Sequence, residues 1–203
     1  MANVETPKKK HKIGGIISTI ACILIFLFVG YELAVKFSHN SIYLFGVRSD
    51  VVLTDSMSYK NEDPEVQSFL QGRNDQLQVG DLTYSVKIDE KTELNVYDKV
   101  MFIHPDTGKM TTHRIVAIDH TYAEPRYVIR ADTANAASYD GAFPRKDLTA
   151  KVVGYVPWVG HIVNFLQSFW GILLLIGTAI IVIVYNVLID LKFFKAKDKE
   201  AKS

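Results

Sequence analysis

Three kinds of residue that together can activate a hydroxyl occur in order along the chain. Ser56, within Val51-Val52-Leu53-Thr54-Asp55-Ser56-Met57, is the candidate nucleophile. His113, within Thr111-Thr112-His113-Arg114-Ile115-Val116, is the candidate general base. Asp132 and Asp140 bound the stretch DTANAASYD, and either could orient the base. A serine hydroxyl is a weak nucleophile at neutral pH. It becomes useful when a base within hydrogen-bond reach takes its proton and a third group fixes that base. Nucleophile, base and orienter are the parts of an activated-serine hydrolase. The other histidines fit the role less well. His11 precedes the first apolar run, His39 and His161 stand near the ends of the apolar runs, His104 borders a turn and is expected to be solvated, and His120 ends a strand. His104, His113 and His120 recur at long spacing without a tight His/Cys/Asp cluster, so no metal site and no organic cofactor are expected.

The elements that must position these groups are set by how the apolar residues are distributed. The chain has 203 residues, of which 23 are basic and 22 acidic, for a net charge of +1. That balance excludes a general nucleic-acid binder, which would be strongly basic. Hydrophobic residues make up 48%, an ordinary share, but they crowd the two ends. Residues 13–35 read IGGIISTIACILIFLFVGYELAV, and residues 169–189 read FWGILLLIGTAIIVIVYNVLI. Each approaches the ~20 apolar residues that cross a bilayer. Lys8, Lys9, Lys10 and Lys12 precede the first, and Lys192, Lys195, Lys197, Lys199 and Lys202 follow the second. Positive residues at both distal ends predict both termini on the cytoplasmic side. The expected layout is a basic N-terminus over 1–12, a retained transmembrane helix over 13–35, an extracytoplasmic domain over 36–157, a second transmembrane helix over 165–189 and a basic tail over 190–203. The lone Cys22 lies in the first apolar run and permits no intramolecular disulfide.

The middle reads as mostly β. Strands are expected over 45–53, 82–88, 98–103, 110–119, 127–130 and 150–156, from β-branched and alternating apolar residues. Pro105-Asp106-Thr107-Gly108 is a hairpin turn. Asp63 before Pro64 suits the start of a short helix running to about Gln71. The polar segment 61–78 reads as a surface insertion. Many short strands with few helical periods favour a β-barrel-like domain.

The order of these segments resembles the type I signal peptidase family, in the branch that uses histidine as its base and includes archaeal, endoplasmic-reticulum and sporulation-type enzymes. Ser56-Met57 is similar to the family's nucleophile box. Val79-Gly80-Asp81-Leu82 and Leu94 to Phe102 resemble its two turn-and-strand segments. Thr112-His113-Arg114-Ile115-Val116 resembles its histidine box, Asp132 to Asp140 its acidic box, and Gly154-Tyr155-Val156-Pro157-Trp158-Val159-Gly160 its closing segment. There are departures. Ser58 and Tyr59 stand where the family usually has a proline after the serine–methionine pair, and Ala131 stands where it has a glycine.

The resemblance implies a membrane-bound serine endopeptidase that removes N-terminal signal peptides from exported preproteins. It implies Ser56 as nucleophile, His113 as base and Asp132 or Asp140 as orienter, with the choice open. The Ser56 amide and the Thr54 hydroxyl are the implied oxyanion donors. Substrate is expected to add as a strand along the segment before Ser56, touching Val52, Leu53 and Met57. The implied partners are signal-peptide-bearing preproteins, the lipid bilayer and secretion machinery, with no nucleic acid. Two rival readings remain. One is a serine–lysine peptidase, for which Lys99 and Lys109 are the nearby lysines. The other is a catalytically idle, membrane-anchored β domain that binds a partner protein.

Overall fold

The computed structural model describes residues 8–37, 42–58, 64–70, 72–133 and 139–201. The chain forms two compact units, one from Met1–Asn40 with Phe165–Ser203 and the other from Ser41–Asn164.

The second unit is a single antiparallel sheet. In chain order its elements are β1 (Val47–Val51), helix α2 (Pro64–Leu70), β2 (Leu82–Lys87), β3 (Lys99–Ile103), β4 (Met110–Asp119), β5 (Arg126–Arg130), β6 (Gly141–Pro144), a 3-10 turn (Arg145–Asp147), and β7 (Leu148–Val156). The strands lie side by side in the order β1-β2-β7-β3-β4-β5-β6. The sheet curls into a half-barrel with β1 and β6 at its edges, so the expected barrel-like domain is open rather than closed. β4 is the longest strand and forms where Thr, Ile and Val favour an extended, pleated chain. The turn after β3 needs a left-handed residue, and Gly108 supplies it at φ +62°. Helix α2 starts at Pro64, whose missing N–H costs nothing at a first helical position. Asp63, expected to cap it, lies outside the described residues.

Strand pairing decides which side chains share a face. β3 pairs with β4 so that Val100 stands opposite His113 and Lys99 opposite Arg114. Directly paired residues in an antiparallel ladder point the same way. His113 therefore shares a face with Val100, and Arg114 shares the other with Lys99. The first face carries the apolar core of Leu94, Val100, Phe102, Ile115, Tyr127, Ile129 and Leu148. Phe102 is fully buried there, and Phe143 from β6 packs against it with ring centroids 4.7 Å apart.

Segment 61–78 does more than decorate the surface. Leu70, Gln76 and Leu77 are buried, and the Leu77 amide donates to the Met57 carbonyl at 2.9 Å. The stretch reads as an insertion because it is polar overall, yet its second half closes over the sheet.

The other unit is built from two long helices. Helix α1 spans Lys8–Phe37 and helix α4 spans Phe169–Ala201, while a shorter helix α3 (Val159–Gln167) precedes α4. Asn186 Nδ2 of α4 donates to Ser18 Oγ of α1 at 2.7 Å. Further along the pair, Cys22 Sγ lies 4.0 Å from the Ala179 carbonyl of α4. Small residues at such a crossing let two helix backbones approach closely. Within α4, residues Phe169–Ile189 have a mean hydropathy of 2.8 and are long and apolar enough to cross a membrane. Within α1, the apolar helical stretch among the described residues is the shorter Ser18–Tyr31.

Candidate active site

His113 sits in the middle of β4 with its side chain 8% exposed. Its Nδ1 lies 2.5 Å from Asp140 Oδ2. Asp140 precedes β6, and its backbone N–H donates to the Ile129 carbonyl at 2.9 Å, which fixes the start of that side chain. The pairing of a ring N–H with a carboxylate is a charge-assisted bond. In the neutral ring, a hydrogen on Nδ1 donated to Asp140 leaves Nε2 with its lone pair. Nε2 has no hydrogen-bond partner among the described residues. The arrangement is an oriented imidazole with one nitrogen open to take a proton.

The next residue on the strand is handled differently. Arg114 is fully buried and clamps Asp132 with two parallel bonds, Nε to Oδ1 at 2.8 Å and Nη2 to Oδ2 at 2.6 Å. Its Nη1 donates to the Tyr97 carbonyl at 3.0 Å and to Asp75 Oδ2 at 3.1 Å. Asp75 also accepts from Lys99 Nζ at 2.9 Å, and the Asp75 carbonyl takes a second bond from the same ammonium at 2.5 Å. The two acids left open by the sequence are thus separated. Asp140 meets the histidine, and Asp132 meets the arginine.

The Asp75–Lys99 pair responds unevenly to burial. Burial alone would raise Asp75, but bonds from Arg114 and Lys99 outweigh it and hold the carboxyl below the usual range. Lys99 is pushed down, chiefly by burial, with Asp75 only partly opposing it. The difference follows from depth, since the Lys99 side chain is 9% exposed and that of Asp75 is 40% exposed.

Ser56 lies in the turn after β1 and is half-buried. Two groups of Thr133 hold its carbonyl, the backbone N–H at 3.1 Å and Oγ1 at 3.0 Å. On its other side, Met57 is 2% exposed and sits in the core. The connection between β5 and β6 therefore touches both halves of the candidate site. Its beginning, at Asp132 and Thr133, holds Arg114 and the Ser56 carbonyl, and its end, at Asp140, holds His113. Residues 134–138 lie outside the described residues. The hydroxyl of Ser56 is shared with Thr54 Oγ1 at 3.3 Å, and no hydrogen bond joins it to His113.

The approach to Ser56 is clamped by the Gly80–Asp81 turn. The Val52 amide donates to the Asp81 carbonyl and the Gly80 amide to the Val52 carbonyl, both at 2.9 Å. Asp81 is buried, and its carboxylate accepts from the Gln78 amide at 2.8 Å and the Trp158 amide at 3.2 Å. Gly80 has φ +90°, and an added Cβ would overlap the His161 ring at 1.9 Å. Gly160 faces the same turn, where a Cβ would stand 2.7 Å from the Gly80 and Asp81 carbonyls. His161 is thus a packing partner of Gly80. Of the expected substrate-contacting residues, Val52 spends both peptide groups on this turn, Leu53 is 67% exposed, and Met57 is buried. β1 has one neighbour in the sheet, and no other strand among the described residues pairs with its outer edge.

Two residues of the site went unread in the sequence. Thr133 gave no signal beyond its place beside Asp132. His104, expected to be solvated, has its side chain 19% exposed and its Nε2 3.5 Å from Asp140 Oδ1. Comparison with protein-family models and with curated proteins matched no family and no relative.

Proposed function

We propose that the chain is a membrane-bound serine endopeptidase that cleaves signal peptides from exported preproteins. The observation that carries this reading is the His113 Nδ1–Asp140 Oδ2 bond at 2.5 Å, in a fold whose β5–β6 connection also fastens the Ser56 carbonyl. In this mechanism His113 Nε2 takes the Ser56 proton as Oγ attacks the scissile carbonyl. The imidazolium that forms is held by Asp140, and it then protonates the departing amine. Thr54 Oγ1, beside Ser56 Oγ, and the Ser56 amide donate to the oxyanion. The Ser56–His113 bond closes as substrate seats, since catalytic hydrogen bonds commonly tighten only in the bound complex. Substrate pairs with the open edge of β1 and the chain leading to Ser56, with Leu53 exposed along the path.

The reading includes two membrane spans, α4 over Phe169–Ile189 and α1, with both basic ends on the cytoplasmic side. The apolar all-round surface of α4, where Ile180, Ile181, Val184 and Leu188 are exposed, is what a lipid-facing helix presents. Lys99 is occupied by Asp75, which favours histidine over lysine as the base. The unmade Ser56–His113 bond favours the rival, a binding domain without activity. The two separate on one experiment. A detergent-solubilised chain that cleaves a model preprotein, and loses cleavage in both Ser56→Ala and His113→Ala while folding normally, supports the peptidase. Wild-type inactivity in a folded chain, or full activity in His113→Ala, overturns it.

A further inference from the structure

His104 faces the far oxygen of the same carboxylate that orients His113, with its Nε2 3.5 Å away. It stands at the end of β3, where the strand enters the turn to β4, and three bonds fix it there. Its backbone N–H donates to the Lys109 carbonyl at 2.9 Å, and its carbonyl accepts from the Gly108 N–H at 2.8 Å. Its ring Nδ1 accepts from the Asp106 N–H at 3.2 Å. A nitrogen that accepts has no hydrogen of its own, so the ring hydrogen resides on Nε2. That nitrogen is the one facing Asp140 Oδ1 at 3.5 Å. Asp140 is therefore flanked on both oxygens, by His113 Nδ1 on Oδ2 and by His104 Nε2 on Oδ1.

The two imidazoles share a backstop. The Phe102 ring lies with its centroid 6.1 Å from that of His104 and 6.0 Å from that of His113. Phe102 is fully buried against Phe143, so neither ring can tilt freely toward the core. A carboxylate with one bond turns about its side-chain torsions, and an imidazole standing 3.5 Å from its second oxygen narrows that turn. By analogy with the groups behind metal-ligating histidines, such support is worth ~10–100-fold.

We propose that His104 is a positioning residue. By standing against Oδ1 of Asp140 at 3.5 Å, it limits rotation of the carboxylate, keeps Oδ2 on His113 and so keeps the open Nε2 of His113 aimed for proton transfer. The proposal rests on the peptidase reading for its kinetic consequence, but not for its structural one.

Two readouts separate these. With solubilised full-length chain and a model preprotein, His104→Ala is expected to lower kcat by about 10-fold or more with KM unchanged. His104→Gln, whose side-chain amide can present an N–H toward Asp140, is expected to recover most of that loss. Independently of cleavage, 15N-histidine NMR of the wild type should show a downfield Nδ1–H proton for His113, the mark of its short bond to Asp140. That signal should broaden or move upfield in His104→Ala and return in His104→Gln. An unchanged His113 signal in His104→Ala overturns the proposal whatever the activity. A signal that responds as expected in a chain that never cleaves keeps the positioning contact and sinks the peptidase reading alone. If the alanine variant does not fold, the glutamine variant set beside His104→Phe, which fills the space without a donor, decides the matter by the same signal.

Discussion

His113 and Arg114 are neighbours on one strand, and each takes an aspartate from the same β5–β6 connection, yet the two pairs are built for different work. Arg114–Asp132 is two parallel bonds with side chains 0% and 3% exposed, and the guanidinium's Nη1 donates to Tyr97 and Asp75. Nothing in it is free to react, and arginine does not give up its proton. His113–Asp140 is one bond with side chains 8% and 15% exposed, made by a ring that can exchange a proton and has its second nitrogen open. The alternation of a strand puts the two on opposite faces. One pair fastens the fold, and in the proposed peptidase reading the other orients the base. Two parallel bonds to a buried carboxylate suit a fastening, and a ring nitrogen without a partner is what a general base needs.

The sharpest way to break this contrast on the structural side is to remove the arginine. Arg114→Ala takes the guanidinium from the buried Asp132 carboxylate, and breaking a buried pair of this kind should cost ~3–5 kcal/mol of stability. Denaturant unfolding checks it, and a loss under ~1 kcal/mol would mean that the buried pair is not the fastening described. Overfilling the turn that clamps the chain before Ser56 comes next. Gly160→Ala forces Cβ against two backbone carbonyls, and overpacking of this kind costs ~1–3 kcal/mol. Because the Gly80–Asp81 turn must shift, cleavage should fall along with thermal stability. A variant with normal stability and normal turnover would show that the turn does not position Ser56.

Thr133→Val is a smaller and more pointed change. It removes the Oγ1 bond to the Ser56 carbonyl while leaving the amide bond, so about 1 kcal/mol should go. Turnover per folded molecule should fall several-fold, read as kcat at unchanged KM. The smallest effect concerns acid. Asp75 is held below the usual carboxylate range by Arg114 and Lys99, against the pull of burial. Its folded value is depressed, so its stabilisation is complete above about pH 4, the unfolded range. It drains away as pH falls through the lowered folded value. The melting temperature of the wild type should exceed that of Asp75→Asn by a constant amount near neutrality, and the gap should close in acid. A gap independent of pH would remove the charge from the account.

How much of this was legible depends on the range of the interaction. β4 is readable to its ends because β-branched Thr, Ile and Val recur through its ten residues. β6 is not, because four residues bounded by Gly141 and Pro144 carry no period. The position of β7 between β2 and β3 is a matter of how distant strands pair, which local pattern does not encode. Asp132 and Asp140 were both visible as acids of one segment. Their partners follow from which face of β4 each meets, a consequence of register rather than of composition. His104 looked solvated because it borders a turn, and only the packing of Phe102 and the return of Asp140 show otherwise. The polarity of 61–78 hid Leu77 and Asp75, whose contacts lie far along the chain at Met57, Lys99 and Arg114.

The most direct test sets Asp140→Asn beside Asp132→Asn, with turnover and stability measured on both. Asp140→Asn should lower kcat on a model preprotein by about 10³–10⁴-fold, the scale of losing the acid that fixes a catalytic imidazole, with the melting temperature nearly unchanged. Asp132→Asn should do the reverse, lowering stability by several kcal/mol while the molecules that remain folded keep most of their turnover. If Asp132→Asn abolishes turnover in a stable protein and Asp140→Asn does not, the assignment of the two acids is wrong, and His113–Asp140 is not the catalytic pair.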